Sequence, residues 1–249
     1  MFIYYVIISF IFGTILGSFY NVVAYRLPKG ESIIYPSSHC PNCNHKLGPS
    51  ELIPIFSFLF QKGKCKNCKQ KISWFYTIFE FITGVLFSLC FIKFHDSNMF
   101  FVNLVFISTL IIVFISDYQT MIIPDEVIIT STILISILLL IFSGYKVLLN
   151  SLLNALLSFA FMFLLKKLGD FLFKKESMGG GDIKLLFVLG LVLGLEKAII
   201  SIFLGAIIAL PISLIQLKKD SNHIIPFGPF LSIAALILLF VKFSLFNTL

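Results

Sequence analysis

Residues 101–117 read FVNLVFISTLIIVFISD: sixteen residues without a charge, then a carboxylate. An apolar run of this length, extended by the two residues before it, matches the ~18–20 residues a helix needs to cross a ~30 Å hydrocarbon core. Further charge-free runs occupy 2–25, 127–145, 147–165, 198–217 and 224–241. Two weaker candidates are 75–92, interrupted by Glu80, and 185–195, which is too short to span without its flanks. Only 12% of the 249 residues are charged and the mean hydropathy is +1.01, where soluble domains are about a quarter charged. The expected fold is an all-α polytopic membrane protein of about eight transmembrane helices. The first run lacks a basic flank before it and is longer than a signal-peptide core, so it reads as a retained first span.

Lys and Arg orient the chain. If the spans alternate, Arg26, Lys29, Lys46, Lys62, Lys64, Lys66, Lys69, Lys71, Lys166, Lys167, Lys174, Lys175, Lys184, Lys218 and Lys219 fall on one side. Only Lys93, Lys146, Lys197 and Lys242 fall on the other. Fifteen against four places the basic side in the cytosol and Met1 outside. The net charge of +7 therefore calls for no nucleic acid, and the lipid bilayer is the expected surrounding partner.

Three parts are expected: a first transmembrane helix at 1–25, a cytosolic insert at 26–74 and a membrane domain at 75–249. The loop 166–184 begins amphipathic, KKLGDFLFKK, which suits a short surface-lying helix ending at Gly179. Pro124, Pro211, Pro226 and Pro229 are expected near segment ends.

The insert carries CPNC at 40–43 and CKNC at 65–68, with 21 residues between the pairs. Two such knuckles can wrap four thiolates around one tetrahedral zinc, in a zinc-ribbon-like module. A segment of about 50 residues with little apolar content needs that kind of staple. Cys40, Cys43, Cys65 and Cys68 are thus expected metal ligands, closed to substrate and structural. His39 and His45 read as solvated neighbours, and Cys90 as a packing residue.

The acids at the spans decide the chemistry. Asp117 ends its run, where the helix macrodipole disfavours an anion, so capping does not explain it. Asp125 follows Pro124 and reads as an ordinary N-cap, with Glu126 in the favourable first turn. Asp182, in MGGGDIKLL at 178–186, can also be an N-cap, but Gly179, Gly180 and Gly181 are more than a cap requires. They permit φ > 0 and close approach of another chain, as a substrate-approach loop lining a wet cavity would need. Glu80 either serves function inside the membrane or stands solvated near Lys71; Asp125 and Glu80 are supporting candidates. Asp117 and Asp182 share the cytosolic side of the charge-derived topology. Two carboxylates close together in a low dielectric share a proton, giving one base to activate water and one acid to polarise a carbonyl. From the residues alone, a proton-coupled transporter, or a zinc-bearing assembly scaffold with both aspartates as caps, stays open.

GSFYNVVAYRLP at 17–28, the paired CxxC insert, DYQTMIIPD at 117–125, MGGGDIKLL at 178–186 and PFGPFL at 226–231 stand in order along the chain. Together they resemble the prepilin peptidases, the type IV leader peptidases of bacteria, over nearly the whole chain. The resemblance implies a GxGD-type intramembrane aspartic endopeptidase with Asp117 and Asp182 as the catalytic pair. It also implies a bacterial plasma-membrane location and prepilin or pseudopilin substrates, cut after a short basic leader at the cytosolic face. Many members also N-methylate the new N-terminus from S-adenosylmethionine, an activity associated with the insert. Here ISWFYTIFE at 72–80 places Phe75 and Thr77 where the family has an Arg and a Pro, and Glu80 matches the family's Glu. Loss of a bidentate donor bears on methyl transfer more than on proteolysis.

Overall fold

The structure is a computed structural model that describes residues 1–174, 178–217 and 225–241. Lys175, Lys218, Lys219 and Lys242 of the charge count, and part of the loop at 218–223, lie outside the described residues. The described residues are helical, with two isolated antiparallel bridges and no strand. The protein is an all-helical, multi-pass membrane protein. Six described helices are long and apolar enough to cross a bilayer, and two shorter apolar helices accompany them. The chain forms two compact units, 1–96 and 97–249.

In the first unit α1 (Phe2–Arg26) packs along α3 (Trp74–Phe94). A Cβ on Gly13 would stand 2.8 Å from the Thr83 carbonyl oxygen, and one on Gly17 2.8 Å from Thr83 Oγ1. Gly84 presses back, a Cβ there meeting Thr14 Cγ2 at 2.8 Å. Small residues at this spacing let two apolar helices approach closely where the hydrophobic effect gives no drive to associate. Cys90 packs fully buried on α3, as its sequence position suggested. Between the two helices lie 3₁₀ turns at Leu27–Lys29 and Pro49–Glu51, the cysteine knuckles, and the short helix α2 (Phe56–Phe60).

The second unit centres on α4 (Phe100–Thr120), which buries Phe106, Ile107, Leu110, Val113 and Ile115. It packs against α5 (Asp125–Ser143), α7 (Gly180–Leu193) and α9 (Gly228–Phe240). Around α7 stand α6 (Tyr145–Phe173) and α8 (Leu195–Leu217). Single glycines join α5 to α6 and α7 to α8: Gly144 at φ 84° and Gly194 at φ 83°, a region that favours glycine.

Two expectations are corrected. Residues 166–173 form no separate surface helix but continue α6, which runs 29 residues. Their two lysines and Asp170 interrupt the hydropathy, not the helix, since such side chains are helix-compatible. Pro211 sits inside α8 and not at its end, as a helix in lipid tolerates when its neighbours adjust.

Candidate active site and cysteine cluster

Asp117 lies one turn before the C-terminus of α4, which ends in a left-handed residue, Met121 at φ 57°, whose N–H donates to the Asp117 carbonyl. Ser116 Oγ donates to the Ile122 carbonyl at 2.6 Å, folding the loop back under the helix end. That loop buries Ile123, and α7 begins against it: a Cβ on Gly181 would meet Ile123 Cβ at 2.9 Å. Asp182 follows as the third residue of α7. Both carboxylates are buried, at 6% and 7% exposure, and each lies within electrostatic reach of the other. The structure thus brings together the two acids the sequence paired.

Their settings differ. Gly228, the first residue of α9, donates its N–H to Asp117 Oδ2 at 2.9 Å. The macrodipole at the end of α4 disfavours the anion, but the start of α9 faces it with the opposite sign. Asp182 takes no hydrogen bond at its side chain among the described residues, and it is not the N-cap, which is Gly179. Asp182 does not cap α7.

The three glycines are corrected in their reason. None takes positive φ, and Gly179 is extended at φ −66° and ψ 144°. Gly181 serves close approach to Ile123. A Cβ at Gly180 would touch nothing within 4 Å, and one at Gly179 would come no nearer than 3.5 Å to Asp182 Oδ2. The backbone at Gly179 and Gly180 is open beside the acid.

Asp125 is corrected too. Pro124 holds the N-cap position, and Asp125 instead receives Lys184 Nζ at 2.7 and 2.8 Å, tying the start of α5 to the first turns of α7. The pair itself, with Ile128, Ile129, Phe159 and Phe187, lines a cavity of about 230 Å³. Glu80, in the first unit, is buried and not solvated: Oε2 accepts the Ile55 N–H at 2.7 Å, and Ser18 also bonds it.

Gly228 and Lys184 were missed as site residues. The signal for Gly228 was present in PFGPFL, where a Gly–Pro opens the last apolar run, but nothing in a sequence says which carboxylate that N–H meets.

In the insert Cys40, Cys43, Cys65 and Cys68 converge, their four Sγ atoms lying within 4.8 Å of one another. The Cys40–Cys68 and Cys43–Cys65 separations are 3.8 and 3.9 Å. Thiolates at ~2.3 Å from a tetrahedral zinc stand ~3.8 Å apart, so the cluster fits that metal. Each knuckle turns at a left-handed residue, Asn44 at φ 53° and Lys69 at φ 60°, and is closed by a bridge, His39 to Lys46 and Lys64 to Lys71. The Cys68 thiol is drawn down to about 6, chiefly by the backbone N–H of Gln70. His39 is exposed, its Nδ1 3.0 Å from the Ser37 carbonyl. His45 is not a free neighbour: Nε2 pairs with Glu51 Oε2 at 3.1 Å.

Residues 11–94 match the family model of the bacterial peptidase A24 N-terminal domain, and residues 104–214 that of the type IV leader peptidase family. A prepilin leader peptidase/N-methyltransferase of Bacillus subtilis is 42% identical over 201 residues, covering 81% of this chain and 79% of the relative. Proteins of the same name from Neisseria gonorrhoeae and Dichelobacter nodosus are 30% and 32% identical, each over at least 90% of this chain and 87% of the relative. No solved structure matches the chain.

Proposed function

The chain belongs to the type IV leader peptidase family, and on that footing we propose that it removes the basic leader of a prepilin or pseudopilin with Asp117 and Asp182 as its catalytic pair. The observation that carries the residue assignment is the burial of both carboxylates within reach of each other, one at the end of α4 and one at the start of α7.

The chemistry is hydrolysis. One carboxylate takes a proton from water as the oxygen bonds to the scissile carbonyl carbon. The other carboxyl gives its proton towards the carbonyl oxygen, and collapse breaks the C–N bond with a proton passing to the leaving amine. Gly228 N–H is a donor, so it holds Asp117 Oδ2 as an acceptor. Asp182, with no donor on its side chain among the described residues, is left to carry the shared proton. The open backbone at Gly179 and Gly180 gives an extended substrate segment room beside Asp182.

The rest of the assignment follows the same reading. The bacterial plasma membrane holds the chain with Met1 outside and 26–74 in the cytosol, where fifteen of nineteen Lys and Arg then stand. Helices α7 and α9 bring the span count to eight, and 75–249 is the peptidase domain. Zinc would be held by the four cysteines and would fix the fold of the insert, with no open ligand position for catalysis.

The relatives' shared name supports methyl transfer as a second activity of this chain. S-adenosylmethionine is the donor the family resemblance implies. Asn21, in the first motif, is buried, and its Oδ1 has no partner among the described residues. Phe75, where the family has its Arg, packs at a tilt against Phe79 with ring centroids 4.6 Å apart, and Thr77 is buried.

The test is leader removal from a co-expressed prepilin, read by gel mobility and N-terminal sequencing. A cut prepilin supports the proposal. An uncut one, with the protein inserted, returns the transporter and the scaffold, neither of which needs peptide cleavage.

A further inference from the structure

Helix α2 is only five residues long, yet it turns most of its apolar surface outward. Phe58 alone is buried, its ring 4.5 Å from that of Trp74 and packed under Gly63. Phe56, Leu59 and Phe60 are 60%, 53% and 83% exposed, and Ile53 and Trp74 extend the same apolar surface. Soluble proteins rarely leave such a patch uncovered.

Its height is fixed by the first unit itself. The Ile55 N–H reaches Glu80, which stands six residues into α3, about 9 Å along the axis from Trp74. The Glu80 side chain leans towards the helix N-terminus, which brings the bond part of the way back. Even so, α2 lies alongside the first turns of a membrane-crossing helix and not beyond its end. Lys62, Lys64, Lys66, Lys69 and Lys71 follow, all exposed, with no acid anywhere in 52–79.

We propose that α2 and its flanks form an interfacial membrane anchor: Ile53, Phe56, Leu59, Phe60 and Trp74 sit among the headgroups and upper acyl chains of anionic lipid, and the five lysines meet its phosphates. Aromatic side chains favour that zone, and basic residues near an anionic surface are drawn to it. The insert is then not a free cytosolic domain on two stalks. It is pinned to the leaflet at its middle as well as at both ends, which holds the cysteine cluster at a fixed height above the bilayer.

The chain's single tryptophan makes this measurable. The full-length Trp74→Phe, Phe60→Trp protein carries its only indole at position 60, where the native ring is exposed, and prepilin cleavage at the wild-type rate shows that it is folded. It is reconstituted in phosphatidylcholine vesicles with or without phosphatidylglycerol, bearing bromine on the acyl chains. Strong quenching by the bromines, weak quenching by aqueous iodide, and deeper bromine quenching with phosphatidylglycerol are expected. Quenching by iodide and not by bromine overturns the proposal, because the patch is then in water. Protection from both quenchers also overturns it, in favour of a protein covering. Equal bromine quenching in the two lipids removes the lysines from the anchor.

Discussion

Gly228 N–H stands 2.9 Å from Asp117 Oδ2, and a Cβ on Gly228 would come within 2.6 Å of the same oxygen. The residue therefore supplies a hydrogen bond and leaves the space for it to form. Gly228→Ala keeps the amide but pushes the carboxylate away. Displacement of a catalytic group by about 1 Å costs about 10²-fold, so leader cleavage should fall by about that factor while membrane insertion is unchanged. Cleavage at the wild-type rate would show that Asp117 needs no such positioning.

Asp117→Asn and Asp182→Asn should each lower prepilin cleavage by at least about 10²-fold, the usual contribution of a general acid or base. The amide keeps the side chain's size, so the inserted protein should be recovered in normal amount. An active single variant would remove that aspartate from the dyad.

The glycines before Asp182 should separate. Gly181→Ala drives a methyl into Ile123 and, as overpacking, should cost about 1–3 kcal/mol, seen as a lower midpoint in thermal unfolding in detergent. Gly180→Ala meets nothing and should leave that midpoint unchanged. Any fall in cleavage by Gly180→Ala at unchanged stability would then mark a clash with substrate.

Asp125 and Lys184 are each about half exposed, and ion pairs of that kind contribute about 0–1 kcal/mol. Asp125→Asn should therefore keep cleaving, at a rate within a few-fold of wild type. The Asp125→Lys, Lys184→Asp exchange should restore whatever stability either single change removes. Loss of cleavage on Asp125→Asn at unchanged stability would make Asp125 part of the chemistry.

Metal removal should act on the insert. Purified protein should carry one zinc per chain, and Cys65→Ser or a strong chelator should release it and open residues 26–74 to protease, because small metal-stapled modules lose their fold with the ion. A chain without zinc that resists protease equally well would mean the knuckles close by themselves.

Glu51 gives a pH dependence in the same region. The Gly48 N–H first, and His45 second, hold its carboxyl below the ordinary value of 4.5. A lowered value in the folded chain means the stabilisation is present above that range and is lost as pH falls through it. The protection of the Gly48 amide, its exchange rate relative to the unfolded rate at the same pH, should fall on acidification, and Glu51→Gln should remove the dependence.

Much of the architecture was legible because lipid imposes one rule: a long uncharged run becomes a helix. That rule reads length and charge alone, which is why it broke α6 at Lys166 and Lys167, although both are good helix formers. It also put Pro211 at a helix end, where a water-soluble helix would have placed it. The pairing of Asp117 with Asp182 was legible from topology and motif. The Gly228 contact was not, because it joins residues 111 apart through the docking of α9 on α4. The sequence left Glu80 open between a buried and a solvated place for a similar reason: only the folded insert brings the Ile55 amide to it.

Helix α7 is 14 residues long, about 21 Å, between Gly179 and Gly194. A hydrocarbon layer is about 30 Å thick, and α7, enclosed by α4, α5, α6, α8 and α9, falls about 9 Å short of it. The space beyond its end is left to solvent or to the flanking loops. Peptide hydrolysis consumes a water molecule for each bond cut, and on the proposed dyad a short helix would bring Asp182, its third residue, towards the side from which that water comes. Bilayer thickness then becomes a control on turnover: lipids with longer acyl chains would raise the wall that water must cross.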